Sequence, residues 1–170
     1  EILSGLVGSE MCIRDRITST LKEKDIYYQV YTNRGIYTEN PQRDLEIYID
    51  IAERAGQKAD VEKIENSIQK RIDNGTLKIV DNYDKIEDIP GELIMKILAF
   101  DSDLGKIDLV GQELAQSPNL AVSSSSRGNL EITHSDAQKG IALSTIAKQL
   151  GIDLKDCLLY TSPSPRDQRG

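Results

Sequence analysis

The residues with the clearest chemical potential lie in "SSSSRGNLEITHSDAQKGIAL", Ser123 to Leu143. The stretch reads as a strand, a polar loop, a Lys-Gly pair at Lys139 and Gly140, and then a helix. That order presents an ammonium at the C-terminal edge of a sheet, where open α/β sheets place their sites. A lysine there can hold a phosphoryl oxygen or a carboxylate as a compact point charge. Spacing alone equally allows a solvated lysine at a helix start. His134, in the loop after the strand, is either a substrate contact or a hydrogen-bonded loop histidine, and Glu131 reads as structural. Elsewhere there is no Gly-rich phosphate loop, no HExxH and no serine elbow. The acids are scattered along amphipathic helices, which does not make a paired-carboxylate site.

Both ends of the chain raise a different question. One permitted back-translation of Leu6 to Arg16 is CTC GTG GGC TCG GAG ATG TGT ATA AGA GAC and then A. Its reverse complement, TGT CTC TTA TAC ACA TCT CCG AGC CCA CGA G, encodes Cys-Leu-Leu-Tyr-Thr-Ser-Pro-Ser-Pro-Arg and begins an Asp codon. That is the sequence from Cys157 to Asp167. The ends therefore read as opposite strands of one inverted repeat, and the DNA resembles a transposase adapter of short-read sequencing libraries. Residues 1–16 and 157–170 are set aside as adapter-like; the other reading is two natural tails of unusual composition.

Setting the ends aside removes both cysteines, Cys12 and Cys157, so the interior offers no disulfide or thiolate metal site. This fits a cytoplasmic protein. Four acids and four bases lie in the ends, so the net charge of −7 is that of the interior as well. Such an acidic chain is not expected to bind nucleic acid through its backbone. No apolar run is long enough to span a bilayer, so no membrane partner is expected.

The elements that must position Lys139 follow from periodicity. Ile17–Lys24 is a short helix. "IYYQVYT" and "IYT" form a hairpin around Asn33-Arg34-Gly35. Residues 41–56 form a helix with Leu45, Tyr48, Ile49 and Ala52 inward and Gly56 at its C-terminus. A second helix starts from an Asp60 cap, with Val61, Ile64, Ile68 and Ile72 on one face. A short helical piece and a Pro-Gly turn lead to a strand from Leu93 to Phe100. A helix over "DLGKIDLVGQELAQS" follows, then strands in "NLAVSSSS" and "GNLEITH". The last helix turns Leu143, Ile146, Ala147 and Leu150 inward. The expected fold class is α/β, an α+β layer with helices on a sheet followed by the start of something else.

"NLEITHSDAQKGIALSTIAKQLGI" resembles the stretch leading from cap to core in Cof-type phosphatases of the haloacid dehalogenase superfamily. Their pattern is an "LEI" strand, "KG", and a helix ending in "LGI". "LKEKDIYYQVYTNRGIYT" and "IMKILAFDSD" are similar to that family's type IIB cap domain. The resemblance implies a cap over residues 17–126 and the start of the C-terminal half of a Rossmann-like core over 127–156. It implies Mg²⁺-dependent hydrolysis of a small phosphorylated metabolite through an aspartyl-phosphate. Lys139 becomes the expected catalytic lysine, and Arg127 and Asn129 become expected substrate contacts near the cap–core junction.

The family's "DxDGT" nucleophile motif, its Ser/Thr motif and its "GDxxND" metal motif are absent, so no metal ligand is assigned. "FDSDLG" at Phe100 to Gly105 imitates the first motif but follows a cap strand, with Leu104 before the glycine and no Thr after it. The expectation is a fragment of a phosphatase, inactive alone. The rival is a free-standing α+β binding or regulatory domain in which Lys139 is a surface lysine.

Overall fold

A computed structural model describes residues 11–54, 56–137 and 139–154, with backbone only for 11, 12 and 139–142. Six strands form one sheet in the order β3-β2-β1-β4-β6-β5. They are β1 Tyr27–Thr32, β2 Gly35–Thr38, β3 Leu77–Ile79, β4 Ile94–Phe100, β5 Leu120–Ser123 and β6 Asn129–His134. The helices are α1 Met11–Glu23, α2 Pro41–Arg54, α3 Val61–Asp73, α4 Leu104–Ala115 and α5 Lys139–Leu150.

The central strands β1 and β4 pair antiparallel from Tyr27↔Phe100 to Thr32↔Ile94. Side chains alternate across the sheet, so Tyr28, Val30, Ile97, Ala99, Leu130 and Ile132 share one face. With Ile17 and Leu21 of α1 and Ile107, Val110 and Leu114 of α4 they form the main core. Gly111 lets α4 approach closely, since a Cβ there would stand 3.0 Å from Leu130. On the other face, Ile47 of α2 packs with Tyr27, Leu98 and Phe100. Asp60 and Asp103 cap α3 and α4 by accepting from the backbone N–H of Lys63 and Lys106.

Several elements differ from the sequence reading. Strand β3 is an addition: three residues pair parallel to β2, Ile36↔Leu77 to Thr38↔Ile79, too short a run to stand out by alternation. Helix α2 buries Asp44 and Ile47, whereas Tyr48 is 36% exposed, so its inward face is rotated from the expected one. The rotation follows from a hydrogen bond that takes the Asp44 carboxylate into the sheet. Helix α1 starts at Met11, inside the adapter-like stretch, where no Gly or Pro interrupts it. The Arg14 guanidinium is buried there against Glu87 at 2.6 Å and Asp15 at 2.7 Å.

Strand β6 was expected to open a separate segment at 127. It instead lies inside the sheet, paired with β4 and β5. A division at 126/127 would cut those pairings. Beyond β6, Ala147 of α5 is buried, but Ile146 and Leu150, expected to face inward, are 47% and 67% exposed.

Candidate functional site

Lys139 is the first residue of α5, reached from β6 through a 3-10 turn at Ser135–Ala137. The strand–turn–helix frame read from the sequence is therefore present. The Lys139 side chain and Gln138 lie outside the described residues. His134 ends β6, and its Nδ1 accepts from the Asp136 backbone N–H at 3.2 Å. This hydrogen bond is the loop-histidine alternative in atomic form.

Arg127 lies in the β5–β6 turn and Asn129 opens β6, both at the end of the strand opposite Lys139. A six-residue strand, roughly 20 Å long, separates them from the Lys139 end. The structure does not bring these three residues together. Asn129 is buried, and its Oδ1 accepts from the backbone N–H of Ser125 at 3.1 Å and of Ser126 at 3.2 Å. Its Nδ2 donates to Ser125 Oγ at 3.0 Å. Both ends of the amide are thus spent on the turn. Arg127 is exposed and forms no ion pair among the described residues.

The acids of "FDSDLG" are occupied as well. Asp101 accepts from the Asp103 backbone N–H at 2.8 Å and pairs with Lys106 Nζ at 2.7 Å, while Asp103 caps α4. They organise a helix start and are not poised as a nucleophile pair. Among the described residues, no three His, Cys, Asp or Glu side chains are grouped so as to hold a metal ion. The donors among the described residues do not fit Mg²⁺.

A cluster of Tyr31, Lys96 and Glu131, of which the sequence reading takes Tyr31 as hairpin packing and Glu131 as structural, lies on the α2 side of the sheet, toward the end at which β6 leaves for Lys139. Tyr31 stands opposite Lys96. The Lys96 ammonium lies 4.7 Å from the centre of the Tyr31 ring and 3.6 Å from Glu131 Oε2. Burial pushes the Tyr31 hydroxyl pKa upward, with Tyr48 adding to the shift and Arg71 opposing it. The available signal was Lys96 itself, one cation inside the apolar run "LIMKILAF".

Beside this cluster, Asp44 is 1% exposed. Its Oδ1 accepts from Gln29 Nε2 at 2.7 Å, while Oδ2 has no hydrogen-bond partner and faces Arg71 at 3.6 Å. Burial raises its carboxyl above the usual range, against the pull of Arg71.

The sequence model of haloacid dehalogenase-like hydrolases matches residues 13–159, and the chain belongs to that family. It is 25% identical over 142 residues to Phosphatase YwpJ of Bacillus subtilis, covering 82% of this chain and 50% of YwpJ. It is 27% identical over 152 residues to the 5-amino-6-(5-phospho-D-ribitylamino)uracil phosphatase YwtE of the same organism, covering 89% and 52%. The chain thus spans about half the length of the curated relatives it matches.

The fold is similar to part of a haloacid dehalogenase-like hydrolase from B. subtilis, at TM-score 0.66 and 24% identity over 85% of this chain and 52% of that one. A second such hydrolase, from Bacteroides thetaiotaomicron, aligns at TM-score 0.55 and 16% identity, covering 84% and 46%. The α/β class expected from the sequence is borne out, as is the family. No described helix is long and apolar enough to cross a membrane.

Proposed function

We propose that this chain is the cap, with the first helix of the core's second half, of a cytoplasmic Mg²⁺-dependent phosphatase acting on a small phosphorylated metabolite. The observation that carries the reading is the coincidence of the family match over 13–159 with Lys139 at the first position of α5, directly after β6 and its turn. In this reading the Lys139 ammonium holds the phosphoryl group, offsetting the repulsion between an anionic nucleophile and an anionic ester. Neither the nucleophilic Asp nor the metal carboxylates are assigned to residues of this chain.

We place the cap boundary in 135–138 instead of at 126/127, because β6 is paired on both sides. Asn129 is then a turn-forming residue, and a substrate contact by Arg127 would have to come from the far end of the sheet. Residues 1–16 and 157–170 are read as adapter-encoded.

The test is to sequence the source DNA outward from the codons for Asp136 to Lys139. The expected result is loss of both adapter-like ends, an in-frame "DxDGT" upstream and "GDxxND" downstream. A frame that opens just before Ile17 and stops just after Asp156 would overturn the proposal in favour of a small non-catalytic domain.

A further inference from the structure

We propose that Asn74 is a self-modifying site: with water as co-reactant it converts to isoaspartate through attack by the Gly75 backbone nitrogen, and the product loosens strand β3. The inference is independent of the phosphatase reading. Its first observation lies in the sequence. Of the seven asparagines, Asn74 is the one followed by glycine; the others precede Arg34, Pro41, Ser67, Tyr83, Leu120 and Leu130. A nitrogen whose own residue lacks a Cβ approaches the preceding side-chain carbonyl with least hindrance.

The structure puts this pair at the joint between α3 and β3. Asn74 is the C-cap of α3, and Asn74, Gly75 and Thr76 are all exposed. Gly75 has φ +73°, and nothing lies within 4 Å of where a Cβ would stand, so a ring has room to close. Helix α3 has Ile68 as its one buried residue, well before the cap. Two bonds hold the reactants apart. Gly75 N–H donates to Ile72 O at 3.0 Å, and Asn74 Oδ1 accepts from the Thr76 N–H at 3.0 Å. With Asn74 at ψ 3°, ring closure waits for the last turn of α3 to open. Weakly anchored helix ends open locally.

The step balances without metal, oxidant or reductant. The Gly75 nitrogen loses its proton to solvent base and bonds to Asn74 Cγ; the Cγ–Nδ2 bond breaks and ammonia leaves. Water then opens the cyclic imide. Cleavage beside Cγ gives an ordinary aspartate. Cleavage at the carbonyl next to Cα leaves the backbone running through Cβ and Cγ, one atom longer. That extra length falls against β2. Thr76 O accepts from the Ile36 N–H at 2.8 Å, and a Cβ on Gly35 would stand 3.2 Å from the same oxygen. Strand β3 is three residues long and is the end strand of the sheet, so it has little else to hold it. The new carboxylate also sits at the negative end of the α3 dipole.

The experiment is to age the native 170-residue chain in mildly alkaline buffer made with oxygen-labelled water. Peptide mass spectrometry and enzymatic methylation of isoaspartate then locate the product. Asn74 should react first among the asparagines, gain the label and give isoaspartate as the main product. The native chain should react roughly tenfold more slowly than the chain in urea, because the last turn must open. Asn74→Gln should abolish the reaction. Ile36 and Val80 donate to Thr76 O and Thr38 O across β2 and β3. In the purified isoaspartate form their amides should exchange roughly tenfold faster, with β1 and β4 unchanged. Asn74→Asp carries the charge on an ordinary backbone and should keep them protected. The proposal is overturned if another asparagine reacts first, if no label enters, or if native and unfolded chains react at one rate. It is also overturned if the isoaspartate form protects Ile36 and Val80 as the unmodified chain does.

Discussion

Asp44 is buried where helical periodicity puts a solvated charge. Its raised pKa means that the native state holds a proton more tightly than the unfolded chain does. Its contribution to stability is therefore fully present below the unfolded-state pKa and is lost as pH rises through the raised native value. Asp44→Asn keeps an acceptor for Gln29 and cannot ionise. Its stability relative to wild type should increase as pH rises from the acid side to neutrality. Denaturant unfolding of both proteins at a series of pH values reads this directly, and an advantage that shrinks with rising pH would refute it. The buried amide of Asn129 makes a separate prediction. Asn129→Ala strips acceptors from the Ser125 and Ser126 N–H groups and should cost about 1–3 kcal/mol. Arg127→Ala should leave the unfolding midpoint where it is. Equal effects would mean that the turn does not depend on the Asn129 amide.

At the level of elements, most helices and the long strands were legible because their signals are local. The Asp60 cap, the alternation in "IYYQVYT" and the Pro-Gly turn each act within a few residues. Strand β3 was not legible, since its partner β2 lies some forty residues earlier and its own three residues carry no period. The inward face of α2 was hidden for a related reason: an aspartate turns inward only because Gln29, on another element, receives it. Helix α5 read correctly as a helix, but its apolar side is only partly covered, with Ile146 and Leu150 exposed. Uncovered apolar surface forgoes burial energy. The amides of α5 should therefore exchange faster than those of β1 and β4 by one or more orders of magnitude, reflecting local opening. Uniform protection from β1 through α5 in a hydrogen-exchange experiment would rule this out.

For the molecule as a whole, the family was visible in one strand-to-helix passage, while the cross-strand charged cluster was not. Lys139 stood out because a motif surrounds it. Tyr31, Lys96 and Glu131 did not, because their proximity depends on strand register. The phosphatase reading assigns neither a nucleophile nor metal carboxylates to this chain, and Asp101 and Asp103 are committed to Lys106 and the start of α4. Purified protein should accordingly hydrolyse p-nitrophenyl phosphate with Mg²⁺ no faster than a mock purification does. Turnover above that background, co-eluting with the chain, would contradict the assignment.

The hydrogen bonds that join the hairpin tip to the start of β4 have a further consequence. Asn33 donates its backbone N–H to Leu93 O at 3.1 Å, and its Oδ1 accepts from the Leu93 N–H at 2.8 Å. Arg34 adds a bond to Pro90 O. Everything between, including β2, α2, α3 and β3, is built on the β2–β3 edge of the sheet and begins and ends at one point. In engineering terms residues 34–92 form a cassette. A shorter or foreign segment spliced between Asn33 and Leu93 would not reroute the chain, but it would leave β1 as an edge strand and would have to replace Tyr37, Tyr83 and Ile86 in the α1–α4 side of the core.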